Sequence, residues 1–154
     1  MENSSPRVHL EIGSRLENVE LVEIAVESAL SQLNVDEDSS HWIGIAVREA
    51  VSNAIQHGNE LDPDKLVEID FNVENGEIVV KVRDQGLGFD PNKVPNPLKV
   101  DNLLRPDGRG LLFMKKFMDS MEYSFDPARG TELTMKKKIE ISQLATNSQQ
   151  EEEI

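Results

Sequence analysis

Glu49-Ala50-Val51-Ser52-Asn53-Ala54-Ile55-Gln56-His57-Gly58 is the stretch on which the reading of this chain turns. No proline interrupts the segment from about Ser39 to His57, and Gly58 offers a stop, so the spacing predicts a helix there. Asp36, Glu37 and Asp38 precede it and place negative charge where a helix N-terminus favours it. Glu49 and Asn53 are four residues apart and His57 a further four, which puts all three on one helix face. The small residues Ala46, Ala50 and Ala54 lie beside them, where a neighbour can approach closely. A Glu/Asn pair at this spacing is, by itself, most often a solvated helix face.

Working outward toward the N-terminus, Val8, Leu10 and Ile12 alternate with polar residues as in a half-buried strand. Ser14 and Glu17 have capping-box spacing. With Val19, Val22, Val26, Ala29, Leu30 and Leu33 at helical period, they predict a helix from about Arg15 to Leu33, ended by Asn34. Toward the C-terminus, Val67, Ile69, Phe71 and Val73 alternate with polar residues, and so do Ile78, Val80 and Val82 after Asn75-Gly76, the pattern of a tight hairpin. Between Asp84 and Gly110 the prolines 91, 95, 97 and 106 and the glycines 86, 88 and 108 predict a long functional loop. Leu111, Leu112, Phe113, Met114, Phe117, Met118 and Met121 predict an apolar helix. A strand near Tyr123, a turn at 126–130 and a strand from Thr131 to Ile139 follow. Lys136, Lys137 and Lys138 on that last strand read as a solvated edge that discourages pairing.

About five strands grouped in hairpins and about three helices make an α+β two-layer sandwich, with a mixed sheet and the helices on one face. Its 154 residues suffice for one domain, set here at 1–141, and the Ser-, Gln- and Glu-rich segment 142–154 is expected to be a disordered acidic tail. No apolar run approaches the roughly 20 residues that cross a bilayer, and residues 1–13 lack the continuous apolar core of a signal peptide. There is no cysteine, which excludes disulfides and thiol chemistry and fits a reducing, cytoplasmic setting. Sixteen Lys and Arg against 29 Asp and Glu give a net charge of −13, so a phosphate backbone would be repelled and a nucleic-acid partner is disfavoured. A single nucleotide remains admissible where backbone N–H groups are concentrated locally.

Two glycine segments are candidates for such a site, although taken alone the first also reads as an ordinary turn and the second as a flexible lead-in to a core helix. Asp84-Gln85-Gly86-Leu87-Gly88 directly follows a predicted strand, so an acid leaves the sheet and meets glycines that let a planar ligand reach the backbone. Gly108-Arg109-Gly110 leads into the third helix, whose free N–H groups and dipole suit an anion. Neither a Walker A string nor a dinucleotide fingerprint occurs.

In this order and spacing, Glu49 to Gly58 resembles the N box of the GHKL superfamily, 84–88 its G1 box, 108–110 its G2 box, and Gly130-Thr131 its closing element. The resemblance runs from about Val8 to Ile139 and is nearest to the stand-alone anti-sigma-factor serine/threonine kinases of bacteria, which implies a Bergerat ATP-binding fold. It implies that Asn53 holds Mg2+ against the phosphates of ATP and that Glu49 is the catalytic base. It further implies that Asp84 accepts a hydrogen bond from the adenine amino group, that Gly86 and Gly88 admit the ring, and that Thr131 completes the contact. Gly108, Arg109, Gly110 and Leu111 would line the phosphate site, with Arg105 and Arg109 both candidates to offset its charge and the 91–107 segment a lid. The implied activity is phosphorylation of a serine on an anti-anti-sigma STAS-domain partner, with sequestration of a sigma factor by a homodimer. The alternative is an ATP-dependent binding switch with little or no kinase activity. A sensor histidine kinase would need a phosphoacceptor histidine on an upstream helical hairpin, and His9 and His41 lie on a predicted strand and near a helix start instead.

Overall fold

The computed structural model describes residues 5–86 and 110–139. Strand β1 (Val8–Gly13) leads through a single 3-10 turn (Leu16–Asn18) to helix α1 (Val19–Gln32). Helix α2 (Glu37–Asn53) follows, ending in a π-helical turn, Ala54–Gly58. The hairpin β2 (Leu66–Glu74) and β3 (Glu77–Arg83) comes next, then helix α3 (Gly110–Phe117) and the hairpin β4 (Ser120–Asp126) and β5 (Gly130–Lys138).

The five strands form one sheet in the order β1-β2-β3-β5-β4. Every neighbouring pair is antiparallel, so the expected mixed sheet is corrected to an antiparallel one. The reason lies in strand order. β4 emerges from α3 running parallel to β3 but takes the edge, and β5 turns back between the two. That placement also corrects the reading of the three lysines: they sit on an interior strand. Lys136 stands opposite Val79 and Ser120, and Lys137 opposite Ile78. The Lys137 ammonium lies 3.6 Å from Asp119, which also accepts the Lys138 backbone N–H.

One face of the sheet makes the core. Val67, Ile69 and Phe71 of β2, Ile78, Val80 and Val82 of β3 and Leu133 and Met135 of β5 pack in one cluster with the apolar stripes of α1 and α2. Period-two alternation on the strands and the i, i+3/i+4 spacing of Val19, Val22, Val26, Ala29 and Leu30 on α1 produce that single seam. Phe71 is completely buried, and its truncation to Ala would cost about 3–5 kcal/mol. The opposite face carries charges matched across strands: Arg83 bridges Glu68 and Glu132, and His9 meets Asp70 at 2.7 Å. Helix α2 lies between α1 and α3, and Trp42 near its start stacks on Phe117 at the end of α3 with ring centroids 4.1 Å apart.

Local signals were met at most boundaries. Asn34 adopts φ +54° and stops α1, and Asn75 (+52°) and Gly76 (+76°) make the left-handed two-residue turn of the first hairpin. The Asp36 side chain accepts from the Ser39 N–H at 3.0 Å and caps α2. Ser14 does not cap α1. Its hydroxyl is buried and donates to the Lys65 carbonyl at 2.6 Å, so α1 begins four residues later than the capping box suggests. Met121 lies in β4 rather than in the third helix, which ends at Phe117.

Candidate functional site

Asp84 is the first residue beyond β3, and its surroundings are built from three chain segments. Its backbone N–H donates to the Thr131 carbonyl at 2.9 Å, tying it to the start of β5. Its Oδ1 accepts the Gly86 N–H at 3.0 Å, closing a tight turn. The glycines make this approach possible. A Cβ on Gly86 would stand 1.7 Å from the Gly58 carbonyl oxygen, and one on Gly58 would stand 2.3 Å from Asp84 Oδ2. Gly130, at φ +96°, lies so near the Asp84 carbonyl that a side chain there would collide with it.

This packing leaves Asp84 only 7% exposed. Burial pushes its pKa up from the ordinary 3.8, while the Gly86 and Thr131 backbone amides and the charge of Lys65 pull it back. An acid held in a low-dielectric setting with unused acceptor capacity is suited to a neutral polar donor such as an exocyclic amino group.

Asn53 is the last α-helical residue of α2 and is buried, and Glu49 is half-buried one turn before it. The two share a helix face as their spacing requires. His57 departs from that row because it falls in the π-helical turn, where the wider winding offsets it from the α-helical stack. Among the described residues, the buried side-chain polar atoms without a hydrogen-bond partner are Asn53 Nδ2, His57 Nε2 and Thr131 Oγ1. His57 and Thr131 belong to segments that pack against Asp84, and Asn53 ends the helix that leads into the first of them. Leaving such an atom unpaired costs about 1–3 kcal/mol, so each marks a position where a polar ligand or water gains by binding.

Gly110 begins α3, and Leu111 follows within it, as the reading of a helix N-terminus requires. Gly88, Arg105, Gly108, Arg109, the 91–107 lid and the 142–154 tail lie outside the described residues. Among the described residues no group of three or more His, Asp or Glu could by itself hold a metal ion. A hard ion bound through one Asn oxygen, phosphate oxygens and water needs no such cage, so Asn53 fits that smaller role. No helix among the described residues is long and apolar enough to cross a membrane.

Residues 12–137 match the family of histidine kinase-like ATPase domains. The chain belongs to that family. Anti-sigma F factors are among the relatives of this ATPase domain. That of Clostridium botulinum is 34% identical over 140 residues, spanning 88% of this chain and 96% of the relative. That of Geobacillus kaustophilus is 33% identical over 142 residues, spanning 91% and 97%. The fold matches that seen in a crystal structure of the RsbU and RsbW domains of a Mycobacterium tuberculosis protein, with TM-score 0.64 and 17% identity, covering 86% of this chain and 32% of that one. The domain is therefore of the GHKL, anti-sigma-factor kinase type.

Two further residues around Asp84 carried no signal in the sequence. Lys65 lends it positive charge from the turn before β2, and Asn59, one residue past the N-box stretch, is wholly buried against the Asp84–Gln85 segment. Both act through tertiary contacts that no local spacing encodes.

Proposed function

We propose that this domain binds Mg·ATP and transfers its γ-phosphoryl group to a serine hydroxyl of an anti-anti-sigma, STAS-type partner, and that it holds a sigma factor inactive as a cytoplasmic homodimer. The observation that carries ATP recognition is the buried Asp84 carboxylate, with the unpartnered Thr131 hydroxyl next to it in the fold. Asp84 accepts the adenine amino N–H, Thr131 completes the contact directly or through water, and the glycines at 58, 86 and 130 let the three segments close tightly enough to hold the acid in place. The substrate class and the sigma-factor role are supported by relatives that are anti-sigma F factors over nearly their whole length.

At the other end of the nucleotide, Asn53 would hold through its amide oxygen the Mg2+ that accompanies the phosphates, an ion that would offset the charge developing on them. Glu49 accepts the proton of the incoming serine hydroxyl as its oxygen bonds to the γ-phosphorus and the bond to the β–γ bridging oxygen breaks, releasing ADP. A helix face that carries the base one turn from the ion-binding amide sets both groups at a fixed separation on a rigid element.

The test is incubation of the chain with Mg·ATP and a cognate STAS-domain partner, followed by mass spectrometry of the partner. Stoichiometric phosphoserine that disappears with Glu49→Gln is the expected result. ATP binding without phosphoserine would replace the kinase with an ATP-controlled binding switch.

A further inference from the structure

Asn59 has a role that the motif reading does not give it. Its side chain is fully buried, and its backbone N–H is fixed by the Ala54 carbonyl at 2.8 Å, the closing bond of the π-helical turn. Its Nδ2 donates to Ser14 Oγ at 2.8 Å and to the Leu66 carbonyl at 3.0 Å, which uses both N–H bonds of the amide. Its Oδ1 accepts the Gln85 N–H at 2.7 Å. Gln85 answers from its own side chain, whose Oε1 accepts the Leu66 N–H at 2.7 Å. One amide thus joins the end of β1, the start of β2 and the segment leaving β3.

The bond to Gln85 matters most because of where that N–H sits. It belongs to the peptide plane that joins Asp84 to Gln85, and a peptide plane turns as a unit. The plane on the other side of Asp84 is held by the bond from its N–H to the Thr131 carbonyl. With both flanking planes fixed, the direction of the Asp84 Cα–Cβ bond is fixed too, and the Gly86 N–H then sets the carboxylate's rotation. Of these three restraints, only the one from Asn59 comes from a side chain.

We infer that Asn59 is a positioning residue for base recognition: it aims the Asp84 carboxylate, and so sets how strongly the site prefers a purine bearing an amino donor over one bearing a carbonyl acceptor. The inference rests on the reading of Asp84 as the adenine contact. Removing Asn59 frees the 84–85 peptide plane by taking away the acceptor of the part-buried Gln85 N–H, so the acid no longer keeps one direction. The phosphate end of the site, built on Asn53, is untouched.

The experiment compares wild type, Asn59→Ala and Ser14→Ala by isothermal titration with Mg·ATP, Mg·GTP and Mg·tripolyphosphate, alongside thermal unfolding. Ser14→Ala deletes a partner in the same network without touching the bond to Gln85, so it reports the purely structural share. Asn59→Ala is expected to weaken ATP about tenfold or more, to shrink the ATP-over-GTP preference, and to leave tripolyphosphate within about twofold. Ser14→Ala is expected to lower the unfolding temperature while holding ATP within about twofold. ATP affinity unchanged in Asn59→Ala, or ATP and tripolyphosphate weakened equally, would overturn the assignment. Failure of wild type to bind ATP would instead sink the functional reading beneath it. Should Asn59→Ala not fold, a 1H–15N titration of the unaltered chain decides: the Asn59 side-chain amide and the Gln85 amide should shift with ATP and stay fixed with tripolyphosphate, and equal or absent shifts would refute the role.

Discussion

Asp84→Asn removes one charge and keeps the side chain's size, and its two consequences run in opposite directions. The carboxyl is raised above its ordinary pKa of 3.8 by burial, so the folded state holds the proton more tightly than the unfolded chain does. The folded domain is therefore free of penalty below the unfolded value, loses stability as pH rises through the folded value, and carries the cost of an ionised buried acid above it. Asn lacks that cost while its amide oxygen can still accept the Gly86 N–H. The variant should melt above wild type at pH 7, and the gap should close near pH 3. Binding changes the other way: a charge-assisted hydrogen bond contributes about 1.5–3 kcal/mol, so ATP affinity should fall about 10- to 150-fold. Isothermal titration at pH 7.5 and calorimetric melts at pH 7 and 3 read both effects. Unchanged ATP affinity would refute the adenine assignment, and a lower melting temperature at pH 7 would refute the account of Asp84 as a strained buried charge.

Three other perturbations test separate parts of the site and fold. Gly86→Ala puts a Cβ 1.7 Å from the Gly58 backbone oxygen, so the two segments must separate; a loss of about 1–3 kcal/mol in denaturant unfolding is expected, and a wild-type midpoint would contradict the close approach. Glu49→Gln should slow phosphotransfer about 100- to 10,000-fold with ATP affinity within about twofold, whereas an unaltered rate would remove Glu49 as the base. The His9 imidazole, hydrogen-bonded to Asp70 and near Glu11, titrates above the ordinary 6.5. Its stabilisation is present below 6.5 and fades as pH rises through the raised value. An NMR midpoint that falls toward 6.5 in Asp70→Asn is expected; identical midpoints would exclude the pair.

What could be read from the sequence was whatever depends on neighbours along the chain. The alternation in 67–73 and 78–82, the Asn75-Gly76 turn and the Asn34 stop each act within a few residues, and the structure honours them. Ser14 misled because its hydroxyl is claimed by residues more than 40 positions away, Lys65 and Asn59. Strand order misled in the same way, since nothing local in β4 or β5 says which of them takes the edge. At the site, the motif spacing drew attention to Asn53, Asp84 and Thr131, all of them buried. It was silent on the π-helical turn that brings Gly58 against Asp84, because the extra residue of that turn has no compositional mark. Asn59 and Lys65 went unseen for the same reason as the Ser14 contacts.

The most direct test of the whole account is a structure of the chain with Mg2+ and a non-hydrolysable ATP analogue. The account predicts the adenine amino group within about 3.2 Å of the Asp84 carboxylate and the ion about 2.1 Å from the Asn53 amide oxygen, with one nucleotide spanning both. A nucleotide bound elsewhere, or one that reaches Asn53 while its base turns away from Asp84, would contradict it.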